Sequence, residues 1–359
     1  MLDSILYTVS ANGFKIMNFI NQAFEEALLA IGVSYPNPAV GAIVVKDGRI
    51  VGKGHTQVVH GPHAEVMALR DAGEAAKGAT LYVTLEPCCH YGRTPPCTSA
   101  IIAAGIKRVY FAHRDPNPLV FGKSEKILAE AGIVSTYVEP SPEFSRYFEA
   151  YDYFVKTKSP FVECKMAESA DGFIAREDRS PVRITADMAN AWTAKWRRMA
   201  EFILVGGGTA LADNPHLTVR GVSGNSPCRA VFCGSQVLPS TLSLFDDPQK
   251  KTLVFSRNPQ PHLEGIAKVH LLPSQDFTEN WKCVLDTFAS LGVHRLAVET
   301  GATLAQGILS SGLWNRFYIL RSAKTLGTGL PWKTGKEPKF QKIENLGEDT
   351  LWTALNPIP

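Results

Sequence analysis

Apolar and polar positions along this chain follow two periods, about 3.6 and 2 residues, in alternation. Residues 18–31 place Phe19, Ala23, Ala27 and Ala30 or Ile31 at helical spacing. The breaker cluster Tyr35-Pro36-Asn37-Pro38 follows, and then the mostly apolar run 39–45, which predicts a buried strand. Lys46-Asp47-Gly48 predicts a hairpin turn into a second strand, Ile50–Gly54. Helices are expected over His63–Ala76, Cys97–Ala104 and Ser124–Glu130. Strands are expected over Thr80–Leu85, Lys107–Ala112 and Val134–Val138. This alternation predicts a layered α/β domain with a mainly parallel sheet.

The pattern breaks at Glu139-Pro140-Ser141-Pro142, and a helical bridge over roughly 143–157 leads to Ser159-Pro160. We therefore expect a first domain over 17–145, a linker over 146–160 and a second domain over 161–359. Residues 1–16 read as a loose extension without the basic start and cleavage site of a secretory signal. In the second domain, strands are expected at Phe161–Met166, Phe202–Val205, Ala230–Cys233, Thr252–Phe255, Val269–Leu272, Arg295–Val298 and Phe317–Ile319. With a helix over Ala186–Met199, they predict a second α/β sheet domain. The polar, basic stretch 333–342 reads as an exposed loop.

Composition narrows the class. The 359 residues suit two domains, and 45% apolar with 20% charged residues excludes a disordered chain. Lys plus Arg is 37 against 34 for Asp plus Glu, a net charge of +3, which argues against nucleic acid or a membrane surface as partner. No apolar run reaches the ~18 residues of a membrane span, so a cytoplasmic protein is expected. The seven cysteines are odd in number, and three fall within 88–97, a metal-site pattern rather than a disulfide framework.

Those cysteines join a chemical constellation. His63-Ala64-Glu65 opens one expected helix, Pro87-Cys88 ends a strand where another helix could begin, and Pro96-Cys97 opens the next. His63, Cys88 and Cys97 supply three zinc ligands and leave a fourth position for water, the mark of a catalytic zinc site. Glu65 sits two residues after His63, where it can face that water without ligating the metal. The H-x-E plus Pro-Cys pattern is the zinc deaminase signature: zinc activates water, and Glu65 moves its proton to a ring nitrogen and then to the departing amine. Cys89 and His90 are rival ligands, and either would complete a structural four-ligand site. Cys88 is preferred because it directly follows Pro87. Cys164, Cys228, Cys233 and Cys283 read as buried thiols. Eight residues separate Cys88 from Cys97, where generic zinc deaminases have two, and this insert contains Arg93, suited to a phosphate or carbonyl.

The run TLEPCCHYGRTPPC, with YPNPAVGAIVVKDGRIVGKG before it and RDPNPLVFG after it, resembles the bifunctional riboflavin-biosynthesis deaminase/reductase family. The resemblance covers nearly the whole chain from Met17. It implies a cytidine-deaminase-like domain followed by a dihydrofolate-reductase-like domain. It also implies zinc-dependent deamination of 2,5-diamino-6-ribosylamino-4(3H)-pyrimidinone 5′-phosphate, then NADPH-dependent reduction of the ribosyl to a ribityl chain. By the same resemblance, His63, Cys88 and Cys97 hold Zn2+, Glu65 is the proton donor, and Asn37, Arg93, Asp115 and Asn117 line the first substrate pocket. Thr209, Asp213 and the loop Gly301, Ala302, Thr303, Leu304, Ala305, Gln306 and Gly307 touch NADPH. Arg197, Leu217, Arg220 and Glu299 hold the ribosyl phosphate. A homodimer is expected on the resemblance alone. The triple Gly206-Gly207-Gly208 before Thr209 is the nearest glycine-rich loop, suited to close approach of a phosphate.

The chain departs from the family pattern at several positions. Thr56 stands where the family often has His. Glu168 replaces a small residue near the dinucleotide, where its charge would repel phosphate. Pro181 and Arg183 fall in a block that usually reads Ser-x-Trp-Ile-Thr, Cys233-Gly234 replaces Asp-Ser, and Asn315-Arg316 replaces Asp-Glu. A second reading is therefore a deaminase whose reductase half has decayed or changed. A third, from another class, is an RNA-acting zinc deaminase or zinc-containing binding module.

Overall fold

A computed structural model describes residues 11–92, 94–178, 180, 182–247, 249–333, 335 and 337–356. It divides the chain into two units, Met1–Lys156 and Thr157–Pro359.

The first unit is organised by its hairpin. Strands β1 (Gly41–Lys46) and β2 (Arg49–His55) are joined through Asp47 at φ 49° and Gly48 at φ 75°. Two consecutive left-handed residues make the turn whose twist suits an antiparallel pair. Strand β3 (Thr80–Val83) also runs antiparallel to β1, on its other side. Only β3, β4 (Arg108–Phe111) and β5 (Val134–Tyr137) are mutually parallel, and the sheet order is β2-β1-β3-β4-β5. The sheet is thus mixed rather than mainly parallel, because β1 runs antiparallel both to its hairpin partner β2 and to the later strand β3 inserted on its other side.

Helix α1 spans Ala11–Leu28 and so begins ahead of Met17. It buries Ile20, Ala23, Phe24, Ala27 and Leu28. Its backbone lies so close to β1 that a Cβ at Gly41 would stand 1.9 Å from the Ala23 carbonyl oxygen, which explains a glycine inside a buried strand. Helices α2 (Ala64–Ala72), α3 (Cys97–Ala103) and α4 (Lys123–Glu130) connect the strands. Most of the stretch expected as a linker is helix α5 (Pro142–Thr157), which buries Phe144, Tyr147 and Phe148 and anchors Tyr147 Oη to the Ala39 carbonyl at 2.7 Å.

The second unit is a nine-stranded sheet of order β10-β9-β8-β7-β11-β6-β12-β14-β13. Its strands are β6 (Phe161–Glu168), β7 (Phe202–Gly206), β8 (Cys228–Gly234), β9 (Thr252–Ser256), β10 (Ala267–Leu271), β11 (Arg295–Glu299), β12 (Arg316–Arg321), β13 (Gln341–Leu346) and β14 (Asp349–Leu355). All are parallel from β10 through to β12, and the hairpin β14–β13 closes one edge antiparallel. Helix α6 spans Asp187–Arg197. Three helices are additional to those expected: α7 (Gly207–Asp213), α8 (Phe277–Leu291) and α9 (Ala302–Ser311).

At the centre of this sheet Glu163 is almost fully buried. It accepts from Arg295 at 2.6 Å, Arg316 at 2.9 Å and the Trp196 indole N–H at 3.1 Å. Burial alone would raise its pKa, but the two guanidinium groups outweigh that and hold it below the ordinary value. Arg316, one of the family departures, is therefore a partner in a buried ion network. Glu163→Gln removes the carboxylate charge that both buried guanidinium groups share, so it is expected to destabilise the chain by about 3–5 kcal/mol. A urea midpoint within error of the parent would refute that.

Candidate active sites

His63 is the N-cap of α2, in extended conformation at φ −75° and ψ 166°, which frees its ring to leave the helix axis. Cys97 is the first residue of α3. Cys88 does not open a helix; it lies in the loop between β3 and α3, and its Sγ accepts the Cys97 backbone N–H at 3.2 Å. His63 Nδ1 stands 3.5 Å from Cys88 Sγ and 3.3 Å from Cys97 Sγ. A tetrahedral zinc with Zn–N near 2.05 Å and Zn–S near 2.3 Å requires ligand separations of about 3.6 Å, so the donor set fits that ion. His63 Nε2 faces Thr94 Oγ1 at 3.2 Å, which fixes the ring with Nδ1 towards the sulfurs.

The electrostatics suit a metal. The Cys88 thiol is pushed down to about 4, chiefly because Cys97 donates to its sulfur, with burial opposing and His63 reinforcing. Cys97, as the donor, is pushed up. Among the described residues the cluster has three members, His63, Cys88 and Cys97. Cys89 donates to the Leu119 carbonyl at 3.5 Å, and His90 lines the adjoining cavity. Neither completes a closed four-ligand shell in this geometry.

Glu65 lies in the first turn of α2 and is almost fully buried. Burial, with the neighbouring Cys88 charge, pushes its carboxyl up to about 7, where gain and loss of a proton are both easy near neutral pH. It faces a cavity of 490 Å³ that His63, Cys88, Asn37, Asp115 and Asn117 also line. The structure thus brings together the expected residues of the first site, except Arg93, which lies outside the described residues. Asn117 also performs its turn role: its N–H donates to Asp115 Oδ1 at 2.9 Å, and its own Oδ1 accepts the Leu119 N–H at 3.1 Å. Thr56 lines the cavity and accepts the Val40 N–H at 3.1 Å. Glu86, inside the run TLEPCCHYGRTPPC, and Tyr151 also line the cavity, and neither is a candidate site residue from sequence. Tyr151 gave no signal, because it lies on a helix that read as a connector.

In the second unit Glu299, at the end of β11, gathers two cations. Arg197 Nε donates to its Oε1 at 2.6 Å, and Lys165 Nζ lies 3.6 Å from its Oε2. Burial opposes the charge, but Lys165 and Arg197 hold the Glu299 carboxyl down at about 2. Lys165 itself is pushed down by burial and by Arg197, against the pull of Glu299. Lys165 is not among the residues expected from sequence, because a lysine inside the strand FVECKMAE reads as a solvent-facing position. Arg197 also donates to the Thr218 carbonyl at 3.0 Å, which places the buried Leu217 beside the cluster, while Arg220 is exposed.

The expected cofactor residues divide. A Cβ at Gly301 would lie 3.2 Å from Thr209 Oγ1, so Thr209 and the N-terminal end of α9 adjoin. Asp213 ends α7, and burial, then Glu299, pushes its carboxyl up. The 301–307 segment is the cap and first half of helix α9 rather than a loop. Leu304 and Ala305 are buried, Gln306 donates to the Trp332 carbonyl at 2.8 Å, and Gly307 packs under the Phe277 ring. This leaves Gly301, Ala302 and Thr303 at the open end. Gly206 caps α7 and Gly207 starts it, so the glycine triple is a helix start rather than a loop.

Glu168 corrects an expectation. It is fully buried, accepts from Arg321 at 2.6 Å and the Trp332 indole at 2.8 Å, and lies 3.2 Å from Lys333. Burial raises its pKa, yet these partners hold it below normal, and its charge is matched by two cations rather than turned on a phosphate. Gly234 sits at φ 57°, a left-handed position where serine would be strained. Asn315 accepts the Val162 N–H at 2.8 Å. Arg183 pairs with Asp187 on the surface, and Pro181 lies outside the described residues.

Among known families, the cytidine and deoxycytidylate deaminase zinc-binding region matches residues 15–113, and the RibD C-terminal domain matches residues 160–352. The chain is 38% identical to the riboflavin biosynthesis protein RibD of Aquifex aeolicus, over 93% of this chain and 96% of that one. It is 34% identical to RibD of Escherichia coli, over 88% and 92% respectively. A solved structure from Thermotoga maritima, described as a diaminohydroxyphosphoribosylaminopyrimidine deaminase/5-amino-6-(5-phosphoribosylamino)uracil reductase, superposes with a TM-score of 0.78 at 32% identity. That match covers 96% of this chain and 99% of the other.

Proposed function

Since the chain belongs to the RibD family of riboflavin-biosynthesis proteins, bifunctional enzymes with a deaminase and a reductase domain, we propose that it deaminates 2,5-diamino-6-ribosylamino-4(3H)-pyrimidinone 5′-phosphate and then reduces the ribosyl chain with NADPH. The observation that carries the first step is the placement of Glu65 and the His63, Cys88 and Cys97 cluster on one cavity. Zinc held by these three residues supplies the Lewis acidity that brings the pKa of water from about 15.7 towards about 7. Glu65 takes one proton from water and hands it to the ring nitrogen as the water oxygen bonds to the amino-bearing carbon; it then passes the remaining hydroxyl proton to the amine, so that the C–N bond breaks, ammonia leaves and a carbonyl forms. Asn37, Asp115 and Asn117 orient the pyrimidine edge by hydrogen bonds.

For the second step, the Arg197, Glu299 and Lys165 cluster supports a site for a ribosyl phosphate. Thr209 and the N-terminal end of α9 would hold the phosphates of NADPH, which would supply the hydride when bound. The C1′–O4′ bond breaks, C1′ receives the hydride, and Lys165 gives its proton to O4′. The intact ion pairs of Glu168 and Arg316 favour a retained reductase over a decayed one. On this reading the partner is a small molecule rather than a nucleic acid, and the enzyme works in the cytoplasm as a homodimer. No helix among the described residues is long and apolar enough to cross a membrane.

The test is a sequential assay on the diamino ribotide. Ammonia is released first, and NADPH is oxidised only once deaminated product is present. A zinc chelator abolishes ammonia release while NADPH oxidation on supplied deaminated product continues. Ammonia release without any NADPH oxidation would overturn the second half of the reading.

A further inference from the structure

The deaminase cavity has one wall from outside its motifs. Tyr151, on the third turn of α5, lines it together with His63 and Glu65. Its hydroxyl donates to Asp115 Oδ1 at 3.2 Å, and the Asn117 N–H donates to the same oxygen at 2.9 Å. Among the described residues, both hydrogen bonds to the Asp115 carboxylate fall on Oδ1, which leaves Oδ2 for a ligand in the cavity. Glu86, which lines the same cavity, also holds the loop. The Asp115 N–H donates to Glu86 Oε2 at 3.4 Å, and Ser124 donates to Glu86 Oε1 at 2.7 Å.

The hydroxyl is what requires explanation. A phenyl ring would fill the same space, and a buried hydroxyl costs stability unless it is hydrogen-bonded. Asp115 is 6% exposed, so its carboxylate has lost most of its hydration and depends on the donors around it. A tyrosine that commits its proton to Asp115 has no proton left to donate into the cavity.

We propose that Tyr151 is a positioning residue for the deaminase: by donating to Asp115 Oδ1 it holds Oδ2 towards the cavity, where it accepts a hydrogen bond from an amino or hydroxyl group of the pyrimidine ribotide. This rests on the deaminase reading above. The phenolic proton stays on Tyr151 throughout, and no bond is made or broken at this residue.

The experiment uses the full zinc-loaded chain with Tyr151→Phe, Asp115→Asn and the double variant, each assayed for ammonia release on the diamino ribotide. Zinc content and melting temperature are measured on the same samples. Tyr151→Phe is expected to raise KM about tenfold, a loss of about 1.4 kcal/mol in binding. Its kcat is expected to stay within about twofold, the signature of lost binding rather than lost chemistry. The double variant has the KM of Asp115→Asn alone, because the two residues act through one contact. An unchanged KM in Tyr151→Phe overturns the proposal, as does a double-variant KM equal to the product of the single effects. So does a fall in kcat at constant KM, which would place the hydroxyl in the chemistry. A Tyr151→Phe chain that melts early with normal kinetics, or fails to fold, also overturns it, because the hydroxyl would then serve the fold. If the parent chain itself releases no ammonia, it is the deaminase reading that fails.

Discussion

Glu65→Gln is expected to abolish ammonia release, by about 10²–10⁴-fold, while zinc content stays at the parent level. The amide keeps the shape of the side chain but cannot carry a proton between water and the ring. His63, Cys88 and Cys97 stand within ligand distance of one another without help from residue 65. Metal analysis and the ammonia assay therefore separate two roles that a ligand substitution such as Cys88→Ser would confound. NADPH oxidation on supplied deaminated product is expected to be unchanged, since it uses residues of the second unit. Full ammonia release in Glu65→Gln would sink the mechanism and favour a structural zinc site.

The first site was legible because its chemistry lies close to its secondary structure. His63 and Cys97 each stand at a helix start, and both starts follow prolines or turns that the sequence displays. Cys88 joins His63 and Cys97 in one cluster, but the helix that could begin at Pro87-Cys88 does not form: the helix N–H that meets its sulfur comes from Cys97. The mixed sheet was less legible. Asp47-Gly48 announced the hairpin, yet its consequence for the direction of β1 against β3 depends on where the later strand inserts. Hydrophobic pattern does not carry that information.

In the second unit, illegibility had several causes. Helix α8 carries ordinary start and stop signals, an Asp276 cap that accepts the Glu279 N–H at 2.9 Å and a left-handed Gly292 at its end. Strand β13 is different. Nearly all of it is exposed, so its residues carry no apolar alternation, and its pairing with β14 comes from the backbone. Glu168 shows the limit of reading charge in isolation. Its partners Arg321 and Lys333 are more than 150 residues away in sequence, and only the fold brings them together. Lys165 was hidden because a lysine between apolar residues reads as a strand's solvent face, whereas here it turns towards Arg197 and Glu299.

Lys165→Met is expected to lower NADPH oxidation on the deaminated ribotide by about 10²–10⁴-fold and to leave ammonia release intact. Methionine preserves most of the aliphatic stem and removes the proton. The fold is expected to survive, because Glu299 keeps Arg197 at 2.6 Å as its counter-charge. The direction of the Lys165 pKa supports a proton-donating role. Burial and the adjacent Arg197 disfavour its ammonium form, so the proton leaves more readily than from a solvated lysine. Glu299 limits that effect and holds the ammonium in place. Glu299→Gln should release the limit: Lys165 then titrates at lower pH, and reductase activity in the variant falls off earlier as pH rises, because the protonated form is the donor. A pH profile for Glu299→Gln superimposable on the parent, or a Lys165→Met chain with parent NADPH oxidation, would remove Lys165 from the reaction.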